Sequence, residues 1–316
     1  MTTLRHLACV ASSAFLLACG AADEHGPAED VEQTTDLLKN ARSTSNNRTV
    51  VKVFIDLDGN DGAIDSRYEI MCSGQVVARD TVVTSAHCLR MNVPNAAARW
   101  WTGSVPVAIE LETATSGGEW KPLTVDSQGI YRWMWATVRV HPNFQGFVPG
   151  DNSGWQQFTV GNDVATLRFD ITFPGFTSAS QVPWLLSTES GTTTNGDIMG
   201  YGETAFGLQD TFLRQGSVSG TRSGSVFTFN SASSATKACP GDNGAPLSAG
   251  NSLGIPRYTF GLNSLTGCGT SANQAAHVAS NVSFITGAVP STRCVTQTFT
   301  AQTPPPQGTT TLRRCF

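Results

Sequence analysis

Short segments that alternate apolar with polar residues constrain the fold of this chain more than any other feature. They include residues 50–54, 74–77, 81–83, 105–109, 136–140 and 164–167. Gly, Asn, Asp and Pro separate these segments, and long helical periodicity is absent. The pattern favours an all-β sandwich or barrel, with a single helix predicted near residues 281–287.

The N-terminus has the pattern of an export signal. Arg5 precedes a mostly apolar stretch, residues 7–18, which is too short to span a bilayer. The stretch leads into Leu-Leu-Ala-Cys at residues 16–19, which resembles the lipobox of bacterial lipoproteins, and Gly20 after the cysteine is compatible with outer-membrane sorting. We therefore predict a signal peptide over residues 1–19 and a lipid anchor on Cys19. The alternative is an ordinary signal peptide, which predicts a secreted protein in place of an envelope lipoprotein.

Composition narrows the partners and the domain organisation. The net charge of −4 over 316 residues gives neither a basic stripe for nucleic acid nor a polybasic membrane patch. Residues 20–48 have few large apolar side chains and are predicted to be a flexible linker. Residues 49–289 then form the folded domain and residues 290–316 a C-terminal extension. We expect a monomer that touches the membrane only through its lipid.

Cysteine usage indicates an oxidising compartment. Of eight cysteines, Cys9 leaves with the signal and Cys19 carries lipid, so six remain. Six cysteines in an exported chain suggest three disulfides, with 15 possible connectivities. Proximity in sequence suggests the pairs Cys72–Cys88, Cys239–Cys268 and Cys294–Cys315.

Neither a metal nor a cofactor is predicted. The cysteines lack the C-x-x-C or H-x-x-x-H spacing of a metal site. Residues 56–62 begin like a calcium loop, but Asp61 stands at the required glycine and Arg67 at the required glutamate, so a polar turn is favoured.

Three segments carry residues suited to nucleophilic catalysis. In the first, a buried-strand pattern leads into His87 and Cys88, and a disulfide there would hold the histidine as a general base requires. In the second, Asp163 opens an apolar strand, where a buried carboxylate can orient a histidine. The third is Gly-Asp-Asn-Gly-Ala-Pro at residues 241–246.

Together these segments resemble the trypsin and chymotrypsin family of serine peptidases over about residues 50–287. Supporting landmarks are His-Pro-Asn-Phe at 141–144, Gly-Tyr-Gly at 200–202 and Gly-Leu-Asn-Ser at 261–264. The resemblance implies two six-stranded antiparallel β-barrels with the active site between them. It also implies that His87 is the general base and that Asp163 orients it.

The sequence departs from the family at the nucleophile. The family motif is Gly-Asp-Ser-Gly-Gly-Pro, and this chain has Asn243 at the serine position. An asparagine amide has no hydroxyl to deprotonate, and its nitrogen is a poor nucleophile. The backbone N–H groups of Gly241 and Asn243 would still form the oxyanion hole that the resemblance implies, because that site is main-chain geometry.

Two further departures concern activation and specificity. The family's activating N-terminus, which pairs with the acid beside the nucleophile (here Asp242), has no counterpart, so Asp242 is expected either to be satisfied otherwise or to leave the site poorly formed. The resemblance places Lys237 and Ser264 in the substrate pocket. A lysine there would favour acidic side chains, and the alternative is that Lys237 extends to solvent.

These residues predict an exported trypsin-like homologue that is catalytically inactive and binds a peptide or protein in the cleft between its barrels. The alternative is a serine endopeptidase whose sequence carries an inactivating change from Ser to Asn. A third hypothesis is a structural envelope lipoprotein whose cleft has no ligand.

Overall fold

The computed structural model describes residues 42–43, 49–56, 69–91, 99–100, 103–112, 120–125, 127–128, 133–145, 159–188, 195–202, 213–230, 236–239, 241–250, 255–265, 272–300 and 308–316. The predicted signal peptide, Cys19, most of the predicted linker, most of the calcium-like segment and Cys268 lie outside these residues. Within the described part of the chain, no helix combines the length and hydropathy needed to cross a bilayer.

Nearly all regular structure in these residues is β-strand. In chain order the strands are β1 (Arg42–Ser43), β2 (Val50–Asp56), β3 (Glu69–Ala78), β4 (Thr81–Thr84), β5 (Arg90–Met91), β6 (Arg99–Trp100), β7 (Gly103–Glu112), β8 (Trp120–Pro122), β9 (Met134–Val140), β10 (Ala165–Arg168), β11 (Trp184–Thr188), β12 (Asn195–Gly200), β13 (Arg214–Ser223), β14 (Val226–Phe229), β15 (Pro246–Ala249), β16 (Tyr258–Leu265), β17 (Asn273–His277), β18 (Cys294–Thr300) and β19 (Thr309–Cys315). One α-helix, α1, spans Val278–Thr286. Short 3₁₀ helices occupy Ala86–Leu89, Val160–Asn162, Ala179–Gln181 and Ser291–Arg293.

The first barrel is an antiparallel sheet closed on itself. Its strands follow the order β2-β3-β4-β10-β9-β7, and pairing between β2 and β7 closes the ring. Strand β9 shows why the sequence folds this way: Ala136 and Val138 are buried, while Trp135, Thr137 and Arg139 are exposed. Alternation of this kind puts one face of each strand in the core, where burying a Val or Ile side chain contributes about 1.5–3 kcal/mol.

The second barrel follows the order β12-β13-β14-β17-β16-β15 and closes because β15 also pairs with β12. Helix α1 follows β17, and its Val282 and Ile285 pack into this barrel's core. The side-chain amide of Asn281 donates to the carbonyl of Gly161 at 2.9 Å. The predicted fold class is thus confirmed: two six-stranded antiparallel barrels and one short C-terminal helix, which begins three residues before the predicted position.

The C-terminal extension forms a β-hairpin, which the sequence analysis did not predict. Strands β18 and β19 pair along their length, and the Cys294–Cys315 disulfide joins their ends. Strand β19 also pairs with β11, which pairs in parallel with β16 of the second barrel. The hairpin is therefore an addition to the second barrel's sheet.

The extension is tied to the first barrel as well. The terminal residue, Phe316, packs against the first barrel's core. Asp80, in the turn between β3 and β4, accepts hydrogen bonds from Nη1 and Nη2 of Arg293 at 2.7 and 2.9 Å. Burial alone would raise the pKa of Asp80, but hydrogen bonds from Arg293 and Thr81 lower it below its ordinary value of 3.8. The bidentate pair thus holds the extension across both barrels.

Breaking this pair is expected to destabilise the fold. In Asp80→Ala, Arg293 keeps its charge while its side chain is only 18% exposed. We expect a loss of about 2–4 kcal/mol in the free energy of unfolding, measured in urea. The control is Asp197→Ala, because Asp197 pairs with Arg257 at 3.4 Å with both side chains at least 33% exposed, and such pairs contribute about 0–1 kcal/mol. Equal effects of the two substitutions would show that the Asp80 pair does not hold the extension.

Candidate functional site

His87 lies on a 3₁₀ turn fixed at both ends. The turn, Ala86–Leu89, directly follows β4, and all four of its residues are buried. A disulfide links Cys88 to Cys72 on β3, one of the predicted pairs. The hydroxyl of Ser85 donates to the carbonyl of Asn263 on β16 at 2.7 Å. The turn is thus anchored to the first barrel covalently and to the second barrel by a hydrogen bond.

Asp163 lies two residues before β10 and points at His87. Its Oδ2 is 2.6 Å from Nδ1 of His87, and its Oδ1 accepts the His87 backbone N–H at 2.9 Å. The hydroxyl of Ser264 donates to Oδ2 at 2.5 Å. Asp163 is fully buried and His87 is 6% exposed. A carboxylate that accepts the backbone N–H of His87 and contacts its Nδ1 holds the imidazole in one orientation.

The segment carrying Asn243 forms a tight turn before β15. The N–H of Asp242 donates to the carbonyl of Cys239, and that of Ala245 to the carbonyl of Asp242. Gly241 and Gly244 have φ angles of +93° and +83°, which favour glycine. A Cβ on Gly244 would also lie 2.2 Å from the carbonyl oxygen of Ser73. The two glycines of the motif are therefore required by the turn.

Asn243 is held by its backbone, and its side chain is half-buried. Its carbonyl accepts the N–H of Ser73 at 2.8 Å, which ties the turn to the first barrel. Among the described residues, no acceptor bonds the N–H groups of Gly241 or Asn243. An oxyanion hole needs two N–H donors without another acceptor, and that role for Gly241 and Asn243 stays a prediction.

Asp242 is buried without a cationic partner among the described residues. Its Oδ1 accepts the N–H of Gly202 at 2.8 Å and its Oδ2 the N–H of Cys239 at 3.0 Å. Burial raises the pKa of Asp242 to about 7, although those two hydrogen bonds act to lower it. The sequence analysis expected Asp242 either to find other partners or to leave the site poorly formed. The structure shows that it finds other partners, since two backbone N–H groups bond its carboxyl group.

Neither a family model nor a curated protein sequence matches this chain. The architecture and the disulfides are compatible with a trypsin-like fold. Cys239 is also disulfide-bonded, but its predicted partner, Cys268, lies outside the described residues. Disulfides of this kind indicate an extracellular or periplasmic environment. No group of three or more potential metal ligands occurs in the described part of the chain.

The two residues predicted to bind substrate differ in their surroundings. Lys237 is fully buried, and its Nζ donates to the carbonyl of Asn230. The alternative that Lys237 extends to solvent is therefore wrong. Ser264 is 2% exposed and its hydroxyl is bonded to Asp163, so that hydroxyl positions the carboxylate. Any contact of Lys237 with a substrate stays a prediction.

Two residues that the sequence analysis did not assign hold the turn in place. The hydroxyl of Ser73 donates to the carbonyl of Gly241 at 2.9 Å and accepts the N–H of Tyr201 at 3.0 Å. The side-chain amide of Asn263 donates to the carbonyl of Asp242 at 3.0 Å, and its own carbonyl accepts the N–H of Gly244. Both strands carry other polar residues as well, so the sequence does not single these two out; their burial, which requires hydrogen-bond partners, does.

Proposed function

We propose that this protein is a trypsin-like serine-protease homologue that does not cleave peptide bonds and binds a peptide or protein ligand between its barrels. The observation that carries the proposal is Asn243, which occupies the nucleophile position of a site whose other parts are built. The acyl-enzyme route needs a hydroxyl or thiol at this position. Losing the nucleophile of a Ser-His-Asp triad costs about a millionfold in turnover.

The hydrogen-bonded site supports retention of ligand binding. His87 and Asp163 come from the first barrel, and Asn243 and Ser264 from the second. A peptide lying between the barrels would present a carbonyl oxygen to the N–H groups of Gly241 and Asn243. Those donors do not depend on the side chain at residue 243, so they can bind a carbonyl that is never attacked.

We further propose export to a bacterial envelope, with Cys19 lipidated and residues 20–48 acting as the tether. The disulfides support an oxidising compartment. The lipid would then hold the cleft near the membrane while the protein itself contacts only peptide or protein partners.

Two measurements test this function. With a fluorophosphonate probe and a broad fluorogenic peptide library, the wild-type protein is expected to show neither labelling nor turnover. With fluorescent peptides in an anisotropy assay, the wild-type protein is expected to bind. Asn243→Arg is expected to weaken binding at least about tenfold, because the larger side chain would occupy the space proposed for the peptide. Thr137→Arg, on the exposed face of β9, is the matched control. Turnover that His87→Ala abolishes would overturn the proposal.

The intact bonding of His87, Asp163 and Ser264 favours one alternative, a serine endopeptidase inactivated by a single change from Ser to Asn. This alternative shares the expectation of an inactive wild-type protein. It differs in predicting that Asn243→Ser restores strong peptide hydrolysis.

A further inference from the structure

A second concave site lies away from His87 and Asp163. It is a cavity of about 290 Å³, and the residues that line it include Gln75, Ser180, Trp184, Gln215, Arg257 and Arg314. None of the residues lining it belongs to the candidate functional site. Its volume is at the lower end of ligand pockets, so it suits a small molecule.

Strand register explains why these side chains converge. Strands β19, β11 and β16 run side by side, and Trp184 on β11 pairs with Tyr258 on β16. The guanidinium of Arg314, on β19, lies 4.2 Å from the centroid of the Trp184 ring. Arg257 directly precedes Tyr258. The C-terminal extension thus supplies one wall of the cavity, and the second barrel supplies another.

The cavity carries excess positive charge. Two arginines line it and no carboxylate does. Arg257 retains a 3.4 Å contact with Asp197, but both of those side chains are substantially exposed. Among the described residues no acidic group pairs with Arg314, and its Nε is buried without a hydrogen-bond partner. Burial also lowers the pKa of Arg314, because it removes water from the charged guanidinium. An anion bound in the cavity would offset that cost.

Neutral polar groups complete the lining. Oε1 of Gln75 accepts the hydroxyl of Thr259 at 2.8 Å, whereas Nε2 makes only a 3.5 Å contact with Thr49. Gln75 and Thr259 are buried, so this pair forms the base of the cavity. Ser180 and Gln215 add polar side chains that are at least partly exposed, and Trp184 adds an apolar flank. This combination matches a ligand that has one anionic group and several hydroxyls on a compact apolar frame.

We propose that this cavity binds a small hydroxylated carboxylate of the sugar-acid type. Arg314 and Arg257 bind the carboxylate, because the guanidinium fork matches its two oxygens. Ser180, which is exposed, and Gln215, which is partly exposed, bind the hydroxyls, and the edge of Trp184 contacts the carbon frame. The cavity gives the protein a second ligand, independent of any peptide between the barrels.

Titration calorimetry of the full-length protein with D-glucuronate tests the site. Binding is expected, and glucuronate methyl ester, which lacks the charge and carries one added methyl group, is expected to bind at least about tenfold more weakly. Arg314→Gln and Arg257→Gln are each expected to weaken glucuronate binding by a similar factor. Arg139→Gln is the matched control, because Arg139 also lies over an aromatic ring, 5.3 Å from the centroid of Phe284, but does not line the cavity.

Three results would each overturn the assignment: no heat at roughly 10 mM glucuronate, equal binding of the methyl ester, or unchanged binding by both cavity variants. Inorganic phosphate binding as tightly as glucuronate would also overturn it, because the hydroxyls would then contribute nothing. If Arg314→Gln fails to fold, Arg314→Lys keeps the charge without the fork and is expected to weaken binding by a smaller factor. Loss of peptide binding between the barrels does not affect these outcomes.

Discussion

Asn243→Ser is expected to give a protein that reacts covalently with a fluorophosphonate, whereas the wild-type protein does not react. Serine is smaller than asparagine, and the turn is fixed by backbone bonds that the substitution leaves intact, among them Ser73 N–H to the carbonyl of residue 243. Nδ1 of His87 already lies 2.6 Å from Oδ2 of Asp163, which orients the imidazole. We expect labelling by the fluorophosphonate to rise at least about a thousandfold over wild type.

The control variants separate this chemistry from general reactivity. Asn243→Ala should stay inert because it supplies no nucleophile. Adding His87→Ala to Asn243→Ser should remove most of the gain, since triad members act as a unit. A folded Asn243→Ser protein that shows no labelling would mean that the turn or His87 is out of register for attack. Strong hydrolysis would favour the alternative in which one substitution inactivated a working endopeptidase.

Apolar segments separated by turn residues predicted the strands of the first barrel well, although period-two burial is seen in β9 and not in residues 50–53 or 105–109, which are buried throughout. The segments at 50–54, 105–109 and 136–140 all lie within strands of the barrel. The C-terminal hairpin was missed because its polar, threonine-rich strands resemble a loop: β18 is mostly exposed. Threonine has a high β propensity, and that signal was present in residues 294–300 and 309–315.

The site was predictable as a set of residues but not as a set of bonds. Motifs identified His87, Asp163 and the turn around Asn243. Spacing along the chain does not show that the Ser264 hydroxyl contacts Asp163, since that bond links residues 101 positions apart. Nor does it show how Asp242 is satisfied, because its donors are backbone groups of Gly202 and Cys239. Contacts of this kind depend on how the two barrels pack.

Asp242 is expected to make the stability of the protein fall as the pH rises from about 4 to about 7. In the unfolded chain its pKa is near the ordinary value of 3.8, and burial raises it to about 7 in the fold. Between these values the folded state holds a proton that the unfolded state has lost, so raising the pH favours unfolding. A difference of this size corresponds to about 4 kcal/mol, all of it lost once the pH exceeds the folded pKa.

Asp242→Asn isolates this contribution because the amide does not titrate. The amide has one acceptor oxygen for two backbone donors, so the variant gives up one hydrogen bond, a constant loss of about 1–3 kcal/mol. Urea unfolding should therefore find the variant less stable than wild type near pH 4 and as stable or more stable at pH 8. A stability difference between the two proteins that is constant with pH would contradict the assignment.

Asp80→Asn serves as the control, because Asp80 makes the stability of the fold change with pH in the direction opposite to Asp242. The pKa of Asp80 is lowered in the fold, so its stabilising contribution is present above pH 4 and is lost on acidification. The contrast bears on function, because Asp242 directly precedes the residue whose N–H would bind a ligand carbonyl. Because no described cationic group lies beside Asp242, protonation neutralises this buried carboxyl group next to Asn243. If peptide binding between the barrels depends on that turn, its affinity should weaken over the same pH range, and Asp242→Asn should abolish this weakening.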